Sequence, residues 1–509
     1  MKKIIALVLA LILALSMVAC NKTPAGSETK PQENQGTNKP AETKPVETKP
    51  AEPVSLRLVM FDDVTPRREE YLKNEFHDKV LEELNIDLSV EFLPWSGKDT
   101  LQTMLIAGEK IAFNNTPAFT DFAQRGLCAE IPMELIEATC PDLLAMREEK
   151  GFDSATVDGK IYYIPFGNKS MAGSNRFFTV RDDILKKLGI NAAEITTTEQ
   201  LLEVFEAVHQ AYPDMRVVVA DNAMGRMLGD SLTGELVSHI DNNYVVYANE
   251  YEDNDKLYSW YESENFKKTA QFNALLVEKG YSLGDYFTDP DKSNADWNAG
   301  NCFAKTGVAG HVVETGFKAT IPEAEITRIR IGDAPLVTGR DFDWGMSVST
   351  ADAENTEHWL RLFNWMYKDQ ETFNFLVYGV EGKDFEYNAD GTINKLVTDA
   401  FWQDWFMMAN CYTIYDPSIP QENIDLYNST DKGAITSKLT GFSFDSSYVS
   451  NEVALVKAVI SEYIAPIHKG LVDYDANIEN ALKQLKDAGL DTLVAEYQRQ
   501  YSEWYAANN

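Results

Sequence analysis

The sequence is short of basic residues. In 509 residues, 46 Lys and Arg stand against 79 Asp and Glu, which gives a formal net charge of −33 at pH 7. Proteins that bind nucleic acids need lysine and arginine to displace counterions from phosphates, so no nucleic-acid partner is expected. The same deficit argues against attachment to an anionic membrane by charge alone. The length predicts about two or three domains.

Cysteine is also scarce, and neither cysteine nor histidine shows a metal-binding spacing. The 5 cysteines lack a CxxC pair, and none of the 6 histidines belongs to an HExxH motif. The acidic stretch 289–296 lacks the glycine and the terminal glutamate of an EF-hand. No metal or cofactor is therefore predicted. We expect Cys128, Cys140, Cys302 and Cys411 to be mostly small buried hydrophobic residues, with a Cys128–Cys140 disulfide as the alternative.

The N-terminus has the organisation of a secretory signal peptide. Two lysines precede an apolar run, Ile4–Leu15, which is too short to span the roughly 30 Å hydrocarbon layer as a resident helix. Small residues follow and end at Cys20, which resembles a bacterial lipobox, although Met17 stands where leucine is most often found. We predict cleavage after residue 19 and lipidation of Cys20. The alternative is an ordinary signal peptide that leaves Cys20 as a free thiol.

Residues 20–53 are predicted to be a lipidated cysteine followed by a disordered tether. The stretch repeats Glu-Thr-Lys-Pro three times and contains almost no large apolar residue. Such a segment cannot bury enough surface to fold, and its prolines keep it extended. No second run of about twenty apolar residues follows. We therefore expect a soluble body at the cell surface, lipid-anchored to the outer face of the cytoplasmic membrane in the manner of Gram-positive lipoproteins.

The body begins with a β-α-β-α-β pattern. Strands are predicted at 55–61, 87–93 and 111–113, with helices at 67–84 and 100–107 between them. This order is typical of a parallel sheet with helices on its faces. Ligands of such sheets bind beyond the carboxyl ends of the strands, so the loops after these strands are the first candidates for a site.

Further along the chain, periodicity and capping signals predict more elements. Thr196 and Glu199 form a plausible capping box at the start of a helix that ends near Ala211. Strands are predicted at 215–220 and 306–313, and helices at 354–369, 477–488 and 491–505.

Several stretches resemble motifs of one protein family. They are Phe122–Pro132, Val157–Pro165, Thr179–Ile190, Thr196–Glu199, Tyr378–Tyr387 with Asp390 and Gly391, Gly441–Asp445, Ala488–Asp491 and Glu496–Gln500. In this order the motifs resemble bacterial extracellular solute-binding proteins of sugar ABC importers (family 1), and the hairpin at Tyr378 is similar to that of their LplA-like lipoprotein subgroup. One departure is Gly108–Phe113, which lacks the aspartate that most members carry before the third strand.

The resemblance implies an α/β, two-lobed, periplasmic-binding-protein-like (Venus flytrap) fold with hinge crossovers and a helical C-terminal region. By analogy, lobe 1 comprises 54–166 plus 302–338, and lobe 2 comprises 167–301 plus 339–509. The lobes close on a ligand between them, and a membrane-embedded ABC permease recognises the closed form. The expected ligand is a carbohydrate, in particular an oligosaccharide, and the protein is expected to be a monomer and not an enzyme.

A sugar site needs carboxylates and amides for the hydroxyls and aromatic rings for the ring faces. Residues of these types at strand ends and crossovers are the predicted ligand contacts: Asp62, Trp95, Asn114, Asn115, Phe119, Asp121, Asn168, Lys169, Glu314, Phe317 and Trp344. Trp297 is expected to pack in a helix instead.

Two other functions fit the sequence. An exported glycoside hydrolase would use two carboxylates at a sugar cleft, and this chain has many carboxylates. A surface sensor or adhesin could use the same fold, because a fold does not fix a function.

Overall fold

The structure is a computed structural model. It describes residues 52–94, 97–115, 119–147, 151–152, 155–157, 159–165, 177–219, 228, 231–240, 244–287, 290–306, 317–318, 320–338, 345–397, 410–429 and 433–508. Within these ranges, no helix combines the length and the hydropathy needed to cross a membrane. The predicted signal peptide, Cys20 and the tether lie outside the described residues.

The strands are β1 Val54–Phe61, β2 Ile86–Leu93, β3 Ala112–Asn115, β4 Thr156–Val157, β5 Lys160–Ile161, β6 Ile164–Pro165, β7 Phe178–Arg181, β8 Arg216–Val219, β9 Val237–His239, β10 Val246–Asn249, β11 Tyr258–Ser259, β12 Cys302–Thr306, β13 Ile326–Ile329, β14 Val337–Thr338, β15 Gly345–Val348, β16 Phe385–Tyr387, β17 Ile393–Lys395 and β18 Ile435–Thr436.

The α-helices are Pro66–Tyr71 and His77–Leu84, joined by a π turn at Leu72–Phe76, then Lys98–Ile106, Phe119–Gln124, Met133–Thr139, Pro141–Arg147, Asp182–Lys187, Thr198–Ala211, Glu264–Glu278, Pro290–Asn298, Thr356–Trp365, Gln370–Tyr378, Gln421–Tyr427, Ser450–Val459, Ala465–His468, Tyr474–Asp487 and Leu490–Asn508. A second π turn, Ile460–Ile464, joins two of the C-terminal helices.

The first sheet has the strand order β2–β1–β3–β15–β6. β1 pairs in parallel with β2 along its whole length and with β3 at Leu58 and Val59, which confirms the parallel pattern predicted from the sequence. β15 runs antiparallel to β3 and β6. β1 is almost fully buried after its first residues, because helices cover both faces of a parallel sheet.

The second sheet has the order β13–β7–β12–β8. β12 is parallel to β8 and antiparallel to β7, which also pairs with β13. A smaller antiparallel sheet, β11–β10–β9, packs with the C-terminal helices around one hydrophobic core. The helical C-terminal region predicted from the sequence is thus present, with its helices meeting at Gly489.

The sheets correct the predicted lobe boundaries. The analogy places 302–338 in the first lobe, but β12 and β13 pair with β7 and β8 of the second sheet. The analogy places 339–509 in the second lobe, but β15 lies in the first sheet, and the helices at 356–378 share its core. Strand pairing between distant segments decides lobe membership, and sequence order does not reveal it.

Two smaller predictions also have clear outcomes. The capping box is one residue further on, because Thr197 caps the helix Thr198–Ala211 together with Gln200. Cys128, Cys140 and Cys302 are buried, Cys411 is partly exposed, and no disulfide joins Cys128 to Cys140, so the alternative is wrong.

Candidate functional site

The carboxyl edge of the first sheet gathers several chain ends. β1, β2 and β3 are parallel, so they end on the same side, at Phe61, Leu93 and Asn115. β15 is antiparallel to β3 and starts at this edge, where Gly345 lies opposite Asn115 and also opposite Pro165, the last residue of β6. Loops from four strands and the start of a fifth therefore meet at one edge, which is where open α/β sheets bind ligands.

The second sheet presents an equivalent edge. β7 starts at Phe178, which pairs with Thr306 at the end of β12, and β8 ends on the same side because it is parallel to β12. Residues 166–177 therefore connect the carboxyl edge of one sheet to that of the other. Thirteen steps of extended chain cover at most roughly 45 Å, which sets the upper limit on the separation of Pro165 and Phe178.

Asp62 follows β1 directly and is held in a fixed position. Its Oδ2 lies 3.0 Å from Arg68 Nη1, and its Oδ1 accepts a hydrogen bond of 2.9 Å from the backbone N–H of Asp63. Arg68 is itself buried, lies 5.1 Å from the centre of the Phe92 ring, and donates to the Asp63 carbonyl oxygen. The Arg68 charge compensates that of Asp62, so the carboxylate keeps its orientation while 15% of its surface stays exposed.

Asn114 occupies the centre of the same edge. The side chain is fully buried, and its Nδ2 donates to the carbonyl oxygen of Gly345 at 3.4 Å. Its Oδ1 has no hydrogen-bond partner among the described residues. A buried amide oxygen without a partner costs free energy, so Asn114 Oδ1 is an acceptor with unused hydrogen-bonding capacity at this edge. Gly345 is required here because a Cβ would collide with the ring of Tyr163 and with the carbonyl oxygen of Ile164.

Most other predicted contacts cannot be placed by their side chains. Trp95, Asn168, Lys169, Glu314 and Trp344 lie outside the described residues. Asn115 ends β3, and Phe119 and Asp121 belong to the helix that follows, so their backbone lies near the edge of the first sheet. Their role as ligand contacts stays a prediction.

Phe317 lies elsewhere in the fold. The ring is fully buried, with its centre 4.7 Å from that of Trp297 and 5.5 Å from the guanidinium carbon of Arg181. Arg181 ends β7, which is antiparallel to β12, so this group lies toward the end of the sheet where β12 begins. Trp297 is a core residue, as expected. Phe317 is also a core residue in this structure, and its role as a ligand contact stays a prediction.

Sequence reasoning missed Arg68 and an aromatic group in the second lobe. The periodicity of apolar residues does not reveal a buried arginine. The position of Arg68 on the helix after β1 was the one feature of the sequence that pointed to a role at this edge. The aromatic group comprises His239, Tyr244 and Trp260, which come from three separate segments and meet around β9. Its only signal in the sequence is the density of aromatic residues between 239 and 261.

Comparison with known proteins finds a curated relative and solved structures that are similar to this chain over most of its length. A carbohydrate ABC transporter substrate-binding protein of Streptococcus pneumoniae is 23% identical over 473 residues, which cover 88% of this chain and 90% of that protein. The crystal structure of the N-glycan transport solute-binding protein NgtS from the same organism matches with a TM-score of 0.73 at 20% identity, over 89% of this chain and 99% of that one.

A second solved structure, described as an HMO-binding, ABC-transporter-associated solute-binding protein from Bifidobacterium longum infantis, matches with a TM-score of 0.60 at 16% identity. It covers 89% of this chain and 99% of that one. A family model described as a domain of unknown function (DUF3502) matches residues 438–506, which include the last helices. The curated relative and NgtS are both described as binding proteins of transporters.

These likenesses extend over nearly the whole described body, so they confirm the resemblance seen in the motifs and the two-lobed α/β fold. In sequence and in fold, the chain is similar to the substrate-binding proteins of carbohydrate ABC transporters.

Proposed function

We propose that this protein captures an oligosaccharide between the carboxyl edges of its two sheets and delivers it to a membrane-embedded ABC permease. The observation that carries the proposal is that residues 166–177 connect the two edges, so that one ligand can bridge both lobes. The relatives support the ligand class, since NgtS has been crystallised with Man1GlcNAc and with Man5GlcNAc. A monomer anchored through a lipid on Cys20 completes the proposal.

The chemistry of the first edge suits a neutral, hydroxyl-rich ligand. The Asp62 carboxylate, oriented by Arg68, accepts hydrogen bonds from sugar hydroxyls. The Asn114 Oδ1 accepts another and thereby gains the partner that it lacks. Both groups accept hydrogen bonds and Asp62 is already paired with Arg68, so the edge suits a ligand that donates hydroxyl hydrogens, and neutral glycans are the preferred class.

A binding screen tests the ligand class. The mature chain is mixed with Man1GlcNAc, Man5GlcNAc and kestose, and its melting temperature and calorimetric affinity are measured. A glycan present at a hundred times its Kd stabilises the folded state by about 2.7 kcal/mol. Saturable binding without hydrolysis supports the proposal, whereas release of shorter sugars would favour the glycoside hydrolase.

A pair of variants links the binding to the edge. Asp62→Asn removes the charge that Arg68 compensates and should weaken glycan binding by about tenfold, because hydrogen bonds to charged groups are the stronger ones. Asp487→Asn changes an exposed carboxylate on a C-terminal helix and serves as the control. Equal affinities of the two variants would contradict a ligand contact by Asp62.

The anchor has its own test. Expression of the full chain and of Cys20→Ala in a Gram-positive host, followed by membrane fractionation, should show the unchanged chain in the membrane fraction and the variant in the medium. Equal membrane retention of both would contradict lipidation at Cys20.

A further inference from the structure

The aromatic group of His239, Tyr244 and Trp260 lies around β9, in a sheet separate from the one that carries Asp62 and Asn114. The His239 ring lies 4.7 Å from the ring of Tyr244 and 4.7 Å from that of Trp260, with interplanar angles of 83° and 85°. His239 and Tyr244 are partly exposed, and Trp260 is 9% exposed. His239 therefore fixes two further rings, each perpendicular to its own plane, close to the surface.

The backbone at Tyr244 is strained. Its φ of 53° lies in the left-handed region that favours glycine and that asparagine tolerates. The other described non-glycine residue with positive φ is Asn85, an asparagine that ends a helix, as is common. A bulky aromatic residue in this conformation is an outlier, and such strain concentrates at ligand-binding positions. A tyrosine at position 244 therefore costs stability, which favours a functional reason for its presence there.

The fold places the aromatic group on the carboxyl side of the second sheet. The helix Thr198–Ala211 leads into β8, so its N-terminus lies toward the carboxyl end of that strand. Thr198 Oγ1 lies 3.5 Å from Ser231 Oγ, and Thr233 is hydrogen-bonded to Asn265 in the first turn of the helix Glu264–Glu278. The N-termini of both helices therefore lie together on this side.

Trp260 lies just before that second helix, whose N-cap is Ser263. Polar groups flank the rings: Glu235 accepts a hydrogen bond of 2.9 Å from the hydroxyl of Tyr247, and Tyr247 lies opposite His239 in the sheet. Aromatic faces beside a carboxylate are what a sugar ring requires, because the rings pack on its C–H face and the carboxylate accepts from its hydroxyls.

We propose that the aromatic group is an additional subsite, which packs against a sugar ring of an oligosaccharide beyond the part held at the sheet edges. The inference rests on the proposed function and specifies it further, since it requires a ligand longer than a disaccharide. Tyr244 and His239 supply the partly exposed rings of this subsite, and His239 orients Tyr244.

The test exploits the strain at Tyr244. Tyr244→Gly removes the ring and relieves the left-handed backbone, and this relief offsets part of the packing that the core loses, so the melting temperature should change little. Its affinity for Man5GlcNAc, measured by calorimetry, should fall by about 3- to 10-fold. Its affinity for the shorter Man1GlcNAc should stay within about twofold. Tyr244→Phe keeps the ring and should retain the affinity, and Asn85→Gly is the matched control for a left-handed residue elsewhere.

The outcomes separate the two proposals. Unchanged Man5GlcNAc affinity in Tyr244→Gly overturns the subsite but leaves the proposed function intact. Equal losses for both glycans together with a lower melting temperature assign Tyr244 a structural role and also overturn the subsite. Failure of the unchanged chain to bind Man1GlcNAc, Man5GlcNAc or kestose overturns the proposed function, and the subsite with it.

Discussion

A buried ion pair ties the first helix of the body to a hairpin more than three hundred residues away. Arg67 donates from Nε to Asp384 Oδ1 at 2.8 Å and from Nη2 to Oδ2 at 2.7 Å. The Asp384 side chain has no exposed surface, and its Oδ2 also accepts from the backbone N–H of Val380 at 2.9 Å. Asp384→Ala should therefore destabilise the protein strongly.

The magnitude follows from what the substitution leaves behind. Removing one member of a buried pair costs about 3–5 kcal/mol, because the remaining charge stays buried without compensation. Arg67 keeps Glu75, 3.2 Å away, so the cost should lie near about 3 kcal/mol. This estimate of the destabilisation already includes the loss of the hydrogen-bond acceptor for Val380 N–H. For a body of about 450 residues, the entropy of unfolding is about 1 kcal/mol per degree, so Tm should fall by about 3 °C.

Differential scanning calorimetry measures the effect, and two variants make it specific. Asp487→Ala removes a carboxylate whose pair with Lys483 is largely exposed, and it should change Tm by less than about 1 °C. Arg67→Met combined with Asp384→Ala removes both charges, so the double variant should be more stable than the sum of the single losses predicts. A loss below about 1 kcal/mol for Asp384→Ala, or strictly additive losses, would refute the argument.

Three further outcomes are expected. Gly345→Ala should lower the free energy of unfolding by about 1–3 kcal/mol, since its Cβ has no room beside Tyr163, and urea denaturation measures this. Burial raises the pKa of the Cys302 thiol to about 12, so iodoacetamide at pH 8 should modify it only after unfolding, as mass spectrometry of peptides would show. Burial, with the charge of Lys469, lowers the pKa of His468 from 6.5 to about 4. Because the unfolded chain then binds a proton that the folded one does not, stability should fall between pH 6.5 and 4, and this slope should weaken in His468→Gln.

Local patterns predicted the local structure well. The strands and helices between Val54 and Asn115 follow from alternation and helical periodicity, and they match the structure within a few residues. The strand-end rule also led to Asp62 and Asn114, which lie at the same sheet edge. Lobe membership could not be predicted in this way. β15 joins β3 across about 230 residues, and only the packing of the completed sheet determines that neighbour.

The acidic composition does not by itself locate a site, because many carboxylates serve the fold. Asp384 holds a hairpin, Asp352 accepts from the indole N–H of Trp359 at 2.7 Å, and Glu250 accepts from Ser437 and from the backbone of Lys438. What distinguishes Asp62 is its position at a carboxyl edge, with part of its surface exposed and its charge compensated by a buried arginine. A carboxylate held in this way can bind a neutral hydroxyl without reorganising, which is the property that a sugar site needs.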